Sequence, residues 1–236
     1  MPTGDLALNT PDEVVEGVLV RGCVTVSAPR VTIRNSVIRC QRPGTDRAVV
    51  GAPGAAGYEG LVIEDSELDG GGIVDIGVDV SGVTLSRVNI HHFNDGVRLG
   101  SNILIEDSWV HDMTRIGDLH PDAVQGISAD NVVIRGNTLD PTNTETGDLG
   151  NAAIQLGSET GTRVSSDVTI EDNFLDGGNY ALNISGSITA EDFTIQGNSF
   201  GSGSRYGPIV APMTVAIGEG NTMLETGKEA VVDPPR

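Results

Sequence analysis

The chain has 236 residues, with 14 Lys and Arg against 33 Asp and Glu, a net charge of −19 and a single lysine, Lys228. That balance argues against nucleic acid, whose phosphates are neutralised by Lys and Arg. No apolar run approaches the roughly 20 residues of a membrane-spanning helix. Neither nucleic acid nor membrane is therefore expected as a partner.

The first residues, Met1 to Asn9, lack both a basic start and an apolar run, so no signal peptide is expected in this chain. Residues 1–17 read as an N-terminal cap. Cys23 and Cys40 follow; they are too few for a disulfide scaffold, and their 17-residue separation suits either a bridge between neighbouring repeats or two buried thiols.

From Val31 onward one eight-residue pattern recurs seven times: VTIRNSVI, LVIEDSEL, VTLSRVNI, ILIEDSWV, VVIRGNTL, VTIEDNFL and FTIQGNSF, starting at residues 31, 61, 83, 103, 132, 168 and 193. Alternating apolar and polar β-formers lead into a polar pair such as Asn35-Ser36 or Asp65-Ser66, and an apolar residue returns two positions later. That predicts two short strands around a bend. The intervals run from 20 to 36 residues, so a minimal unit carries insertions of variable length, as in a solenoid with loops on one side. No segment has the 3.6-residue apolar period of a helical repeat.

A second signal follows in the middle of the chain: Gly77-Val78-Asp79-Val80, Gly96-Val97-Arg98-Leu99, Ala123-Val124-Gln125-Gly126, Ala153-Ile154-Gln155-Leu156 and Ala181-Leu182-Asn183-Ile184. Alternation along a strand places positions two and four inward and positions one and three outward. Three strands per repeat, stacked in parallel about 4.8 Å apart, predict an all-β parallel β-helix, a solenoid of about 8 coils over residues 18–212. The segment 213–236 is expected as a C-terminal cap and tail. If the repeats stack, Ile33, Ile63, Leu85, Ile105, Ile134, Ile170 and Ile195 form one interior column.

The VTIEDS-type repeats, together with His91-His92-Phe93-Asn94-Asp95-Gly96-Val97-Arg98, His120-Pro121-Asp122-Ala123-Val124-Gln125 and Asn151-Ala152-Ala153-Ile154-Gln155, resemble the right-handed β-helix repeat proteins of the pectate-lyase-like superfamily, in particular its actinobacterial and phage-type members. The resemblance covers Val18 to Pro212 and implies a single-stranded right-handed parallel β-helix. It implies a carbohydrate-active protein, either a polysaccharide lyase or a glycoside hydrolase, that is extracellular or virion-associated. A non-enzymatic tail, spike or surface module, for which a homotrimer is the expected assembly, is the other implied class.

The candidate site is read from the outward columns. Asp79, Arg98, Gln125, Gln155 and Asn183 form a polar ladder roughly 19 Å long at about 4.8 Å per step, suited to an extended polysaccharide or oligosaccharide through planar hydrogen-bonding groups. Beside it, Gly77, Gly96, Ala123, Ala153 and Ala181 are expected as a flat outward strip open to a ligand or a partner subunit. Asp95 and Asp122 precede the small residue on adjacent repeats, which predicts two close carboxylates able to share a proton, hold Ca²⁺ or divide into a glycosidase pair. His92, His120, Arg98 and Arg115 join them as candidate catalytic groups, with Asp95 and Asp122 as candidate Ca²⁺ ligands. Tyr180 and Trp109 are the candidates for stacking on sugar rings. The four histidines fall within 30 residues, but no HxH or HExxH spacing occurs, so the sequence predicts no zinc site. The insertions Asp112 to Pro121 and Asp140 to Gly150 are expected to form two walls of a groove.

Overall fold

A computed structural model describes residues 2–52, 59–157 and 161–235; Arg236, the end of the expected tail, lies outside the described residues. Among them there is no helix, and the strands pair in parallel into an 18-stranded and an 8-stranded sheet. Each repeat contributes to three ladders in turn. The first is the 8-stranded sheet, from Val14–Glu16 through Thr32–Arg34 to Ile188–Gln196, built from the first half of each eight-residue pattern. The second carries the pattern's second half, for example Val37–Arg39, Trp109–His111 and Thr138–Asp140. The third carries the quartets, among them Asp122–Gly126, Ala152–Leu156 and Tyr180–Ile184. The long strands Glu67–Asp79 and Asn89–Arg98 run through the second and third ladders without a break, which joins these two into the larger sheet. The arrangement is compatible with a parallel β-helix or related solenoid.

The interior column is as expected. Ile33 pairs with Ile63, Ile63 with Leu85, Leu85 with Ile105, and so on through Ile134 and Ile170 to Ile195. All seven are buried. A one-residue slip would turn every one of them to solvent, so the apolar alternation sets the register.

The bend between the first two ladders has its own chemistry. Asn35, Asp65, Arg87, Asp107, Gly136, Asp172 and Gly197 occupy the same turn position, each with φ between 47° and 68°. Asn, Asp and Gly visit this left-handed region most readily. The next residue, usually Ser or Asn, turns inward and replaces a missing backbone partner. Asn173 Oδ1 accepts from the Asn137 backbone N–H at 3.0 Å, Asn198 Oδ1 from that of Asn173 at 3.1 Å, and Asn221 Oδ1 from that of Asn198 at 3.2 Å. Their amide nitrogens donate to the carbonyls of Ile105, Ile134, Ile170 and Ile195. Ser36, Ser66 and Ser108 serve the earlier repeats in shorter form.

The terminal segments add strands to the ladders, and one expectation, the outward small column, needs correction. Leu6–Leu8 and Val14–Glu16, in the segment 1–17 expected as a cap, pair in register with Val24–Val26 and Thr32–Arg34 and so extend the ladders. Likewise, Thr222–Met223 and Val232–Asp233 in the segment 213–236 continue the second and third ladders. The cause is local: Gly17 (φ 66°) and Gly220 (φ 80°) supply the same left-handed turn inside degenerate copies of the pattern. The small column is internal, not an outward strip. Ala123, Ala153 and Ala181 have no exposed surface, and a Cβ on Gly96 would collide with Val110 Cγ1 and lie 2.6 Å from the Ala123 carbonyl oxygen. Two successive residues, such as Ala123 and Val124, are both fully buried there, and at the first of them only a small side chain fits. That column therefore offers no surface to a ligand or a subunit. Cys23 and Cys40, left open by the sequence, form a disulfide.

Candidate functional site

The third ladder carries a groove of about 720 Å³ on its outer side. Register brings the polar ladder together: Arg98 pairs with Gln125, Gln125 with Gln155, and Gln155 with Asn183. All four line the groove, as do Tyr180, His120, Asp95 and Asp122. The remaining predicted residues lie elsewhere. Asp79 holds the ladder position but is bound by Arg47 of the preceding repeat and is not among the lining residues. Arg115 makes a two-pronged contact with Asp148, at 2.7 and 3.1 Å, and also donates to the Leu119 carbonyl. His92 faces Asp69 and His91 instead of the groove. Trp109 is half exposed on the second ladder, stacked on His111 with ring centroids 3.5 Å apart.

The two insertions do not form opposite walls. Thr144 donates to Asp112 through its backbone N–H at 2.7 Å and its hydroxyl at 2.6 Å, Asn143 Nδ2 donates to the Met113 carbonyl, and Arg115 grips Asp148. They pack as one unit, of which Asp118, Leu119 and His120 reach the groove. Its far end is made by Tyr206, Ser185, Gly186 and the chain's Pro234 and Pro235. Tyr206 is 57% exposed, with its ring centroid 5.8 Å from that of Tyr180. The two rings supply an apolar platform beside the polar ladder.

At the floor, Asp95 and Asp122 stand in direct register on neighbouring strands. Asp95 Oδ1 accepts from the Asp122 backbone N–H at 3.3 Å and from Asn94 Nδ2 at 3.1 Å, while its Oδ2 receives Arg98 Nη2 at 3.1 Å. Arg98 Nη2 also donates to Gln125 Oε1 at 2.9 Å. Asn151 Nδ2 donates to Asp122 Oδ1 at 2.9 Å, and Asn179 Nδ2 in turn to Asn151 Oδ1 at 3.2 Å. Asp122 Oδ2 has no partner. Among the described residues four buried side-chain polar atoms lack one, and three of them, Asp122 Oδ2, Asn94 Oδ1 and Arg98 Nε, belong to this floor.

Burial dominates the electrostatics. Desolvation pushes Asp95 up to about 7, against the opposing pull of Arg98. Asp122 is raised well above the ordinary carboxylate range, first by burial and then by the charge of Asp95. Asp75, another lining residue, is also raised by burial. The pair is thus set to hold protons near neutral pH rather than to ionise twice. For the expected Ca²⁺ site, which needs six to eight oxygens, the pair offers few free ones: Asp95 Oδ2 is engaged by the Arg98 guanidinium and Asp122 Oδ1 by Asn151, and both acids are buried.

Asp75, Asn94, Asn179 and Tyr206 were missed as site residues. Asp75 follows Gly70-Gly71-Gly72, where the strand register shifts between Asp69 and Val74, so alternation gives no signal there. Asn94 and Asn179 lie just before the quartets, at positions that precede the bend. No protein-family model matches the chain, and neither a curated protein nor a solved structure matches it significantly.

Proposed function

We propose that the chain is a right-handed parallel β-helix of about eight coils, of the pectate-lyase-like kind, whose groove binds a polysaccharide and hydrolyses it by acid catalysis. The observation that carries the reading is the buried, proton-holding Asp95–Asp122 pair beneath a groove lined by Arg98, Gln125, Gln155 and Asn183. In a glycosidase one carboxyl protonates the leaving oxygen while the other attacks or activates water. Asp122, with its unpartnered Oδ2, is the acid; Asp95, held by Arg98, is the partner carboxylate. Strand neighbours about 4.8 Å apart suit a retaining pair, whose carboxyls stand about 5–5.5 Å from one another. A net charge of −19 and the lining acids Asp75 and Asp118 disfavour a uronate polymer, so a neutral glycan is the substrate class and hydrolysis is preferred to β-elimination. The Cys23–Cys40 disulfide supports an oxidising, extracellular or virion setting.

The test is release of reducing ends from a panel of neutral polysaccharides, with ultraviolet absorbance followed in parallel on acidic ones. Hydrolysis is expected without an unsaturated-uronate chromophore, and Asp122→Asn should lower turnover at least 100-fold while the protein stays folded. A chromophore from an acidic polymer would move the reading to a lyase. One observation favours a second reading, glycan binding without cleavage as in a spike or surface module: Asp122 and Asp95 are only 0% and 1% exposed. Saturable binding with no turnover on any glycan would establish it.

A further inference from the structure

We propose that Asp69, His91 and His92 form a binding site for one divalent transition-metal ion of the Zn²⁺ type, separate from the groove. The sequence gives no spacing motif for it because the ligands come from two repeats. Asp69 and His91 are register partners on neighbouring strands. His92 follows His91 in the left-handed conformation, φ 58°, which turns its ring back toward its neighbour. The three ligand atoms form a closed triangle: His91 Nδ1 to His92 Nδ1 is 2.8 Å, His92 Nδ1 to Asp69 Oδ1 is 3.4 Å, and His91 Nδ1 to Asp69 Oδ1 is 3.8 Å. Tetrahedral Zn²⁺ with ligand bonds of about 2.0–2.1 Å separates its ligand atoms by about 3.3 Å, within the range of these edges. Two imidazoles and one carboxylate with a fourth position left to water is a donor set that suits Zn²⁺ and not the oxygen-seeking Ca²⁺ or Mg²⁺.

The surroundings hold the ligands in place. Asp69 Oδ1 accepts from the Gly71 N–H at 2.9 Å, and its Oδ2 from Gln41 Nε2 at 2.8 Å, with Arg39 Nε at 4.0 Å on that same far oxygen. The His91 ring lies 5.3 Å from that of His111, which is itself stacked on Trp109. Its other nitrogen, Nε2, lies 3.7 Å from Glu67 Oε1, and a carboxylate in that direction commonly takes the free N–H of a metal-bound histidine. Asp69 and His91 are mostly buried, whereas the His92 side chain is 34% exposed, leaving a path for the ion.

The full chain, stripped with a chelator and dialysed, should be titrated calorimetrically with ZnCl₂, and separately with Co²⁺ while visible absorption is followed. One ion per chain and the intense visible bands of tetrahedral Co²⁺ are expected. His92→Asn and Asp69→Asn should each weaken Zn²⁺ at least ten-fold and remove the Co²⁺ bands. His92→Asn is compatible with the fold: Asp112 occupies the matching position in the next repeat with φ 49°, and Asn tolerates that region as well as Asp does. Circular dichroism melting of both variants checks this. Absence of saturable Zn²⁺ binding to the wild type, or equal affinity in folded His92→Asn and Asp69→Asn, would overturn the site. Both outcomes are independent of glycan cleavage.

Discussion

The turn column of serines and asparagines and the Asp95–Asp122 pair are both polar stacks buried in a β interior, and they are satisfied in opposite ways. In the turn column every asparagine from Asn137 to Asn198 accepts a backbone N–H with its oxygen and donates a carbonyl bond with its nitrogen. Each amide is neutral and matches one donor and one acceptor, so stacking repeats the same bond at no electrostatic cost. On the groove face, equal stacking brings two like acids together and leaves Asp122 Oδ2, Asn94 Oδ1 and Arg98 Nε unpaired. Buried groups left without a protein partner cost stability unless a water, an ion or a ligand completes them. The first stack holds the repeats together; the second is the one that the proposed function assigns to a substrate.

The largest effect should come from breaking the satisfied column. Asn173→Ala removes the partner of the Asn137 N–H and of the Ile134 carbonyl, and takes one of two bonds from the Asn137 amide and the Asn198 oxygen, so the loss is expected to reach about 2–6 kcal/mol in urea unfolding, at about 1–3 kcal/mol per stranded group. Asn173→Ser should cost less, because Ser108 performs the same role at its own turn. An Asn173→Ala variant of wild-type stability would show the column to be incidental.

The acid pair should behave in the opposite sense. Asp95, raised to about 7, keeps a proton in the folded state that the unfolded chain releases above about pH 4. Its contribution is therefore complete below about pH 4 and is lost as pH rises toward 7, by up to about 4 kcal/mol, with Asp122 acting in the same direction. Stability curves at pH 5 and pH 7.5 should differ in the wild type, and the difference should shrink in the Asp95→Asn/Asp122→Asn double variant, which should also be the more stable protein at pH 7.5. If the pH dependence survives the double substitution, the pair ionises normally and loses its claim to acid catalysis.

Removing the Cys23–Cys40 bridge tests stability without touching either stack. It closes a short loop, so Cys23→Ser/Cys40→Ser should cost about 3 kcal/mol and leave glycan affinity at its wild-type value. A fall in affinity would mean that the N-terminal repeats and the groove are coupled. The smallest effect is expected at Gln125→Ala, which removes one polar fork from the groove and should weaken glycan binding by about 0.5–1.5 kcal/mol, with no change in melting temperature.

Asp95, Asp122, Arg98, Gln125, Gln155 and Asn183 were legible as groove residues because each holds a repeated place, and in a parallel ladder equal places become neighbours in space; Tyr180 was legible only as an aromatic ring. His120 was legible as part of an insertion beside them. Asp79 was placed there by its repeat position, and His92 and Arg115 by their nearness in sequence to the acids; all three lie elsewhere, since neither signal says which partner, Arg47, Asp69 or Asp148, competes for the side chain.

The sequence by itself determined the parallel stacking, the interior isoleucine column and the turn sites, because apolar alternation and left-handed turn residues act within a few positions of the chain. The tertiary structure decided the rest. The burial of the small column, the packing of two insertions into one unit, the upward pKa shifts of Asp95 and Asp122, and the meeting of Asp69 with His91 and His92 all arise from contacts between repeats 20 or more residues apart. Burial and like-charge proximity depend on that three-dimensional neighbourhood, which no local pattern encodes.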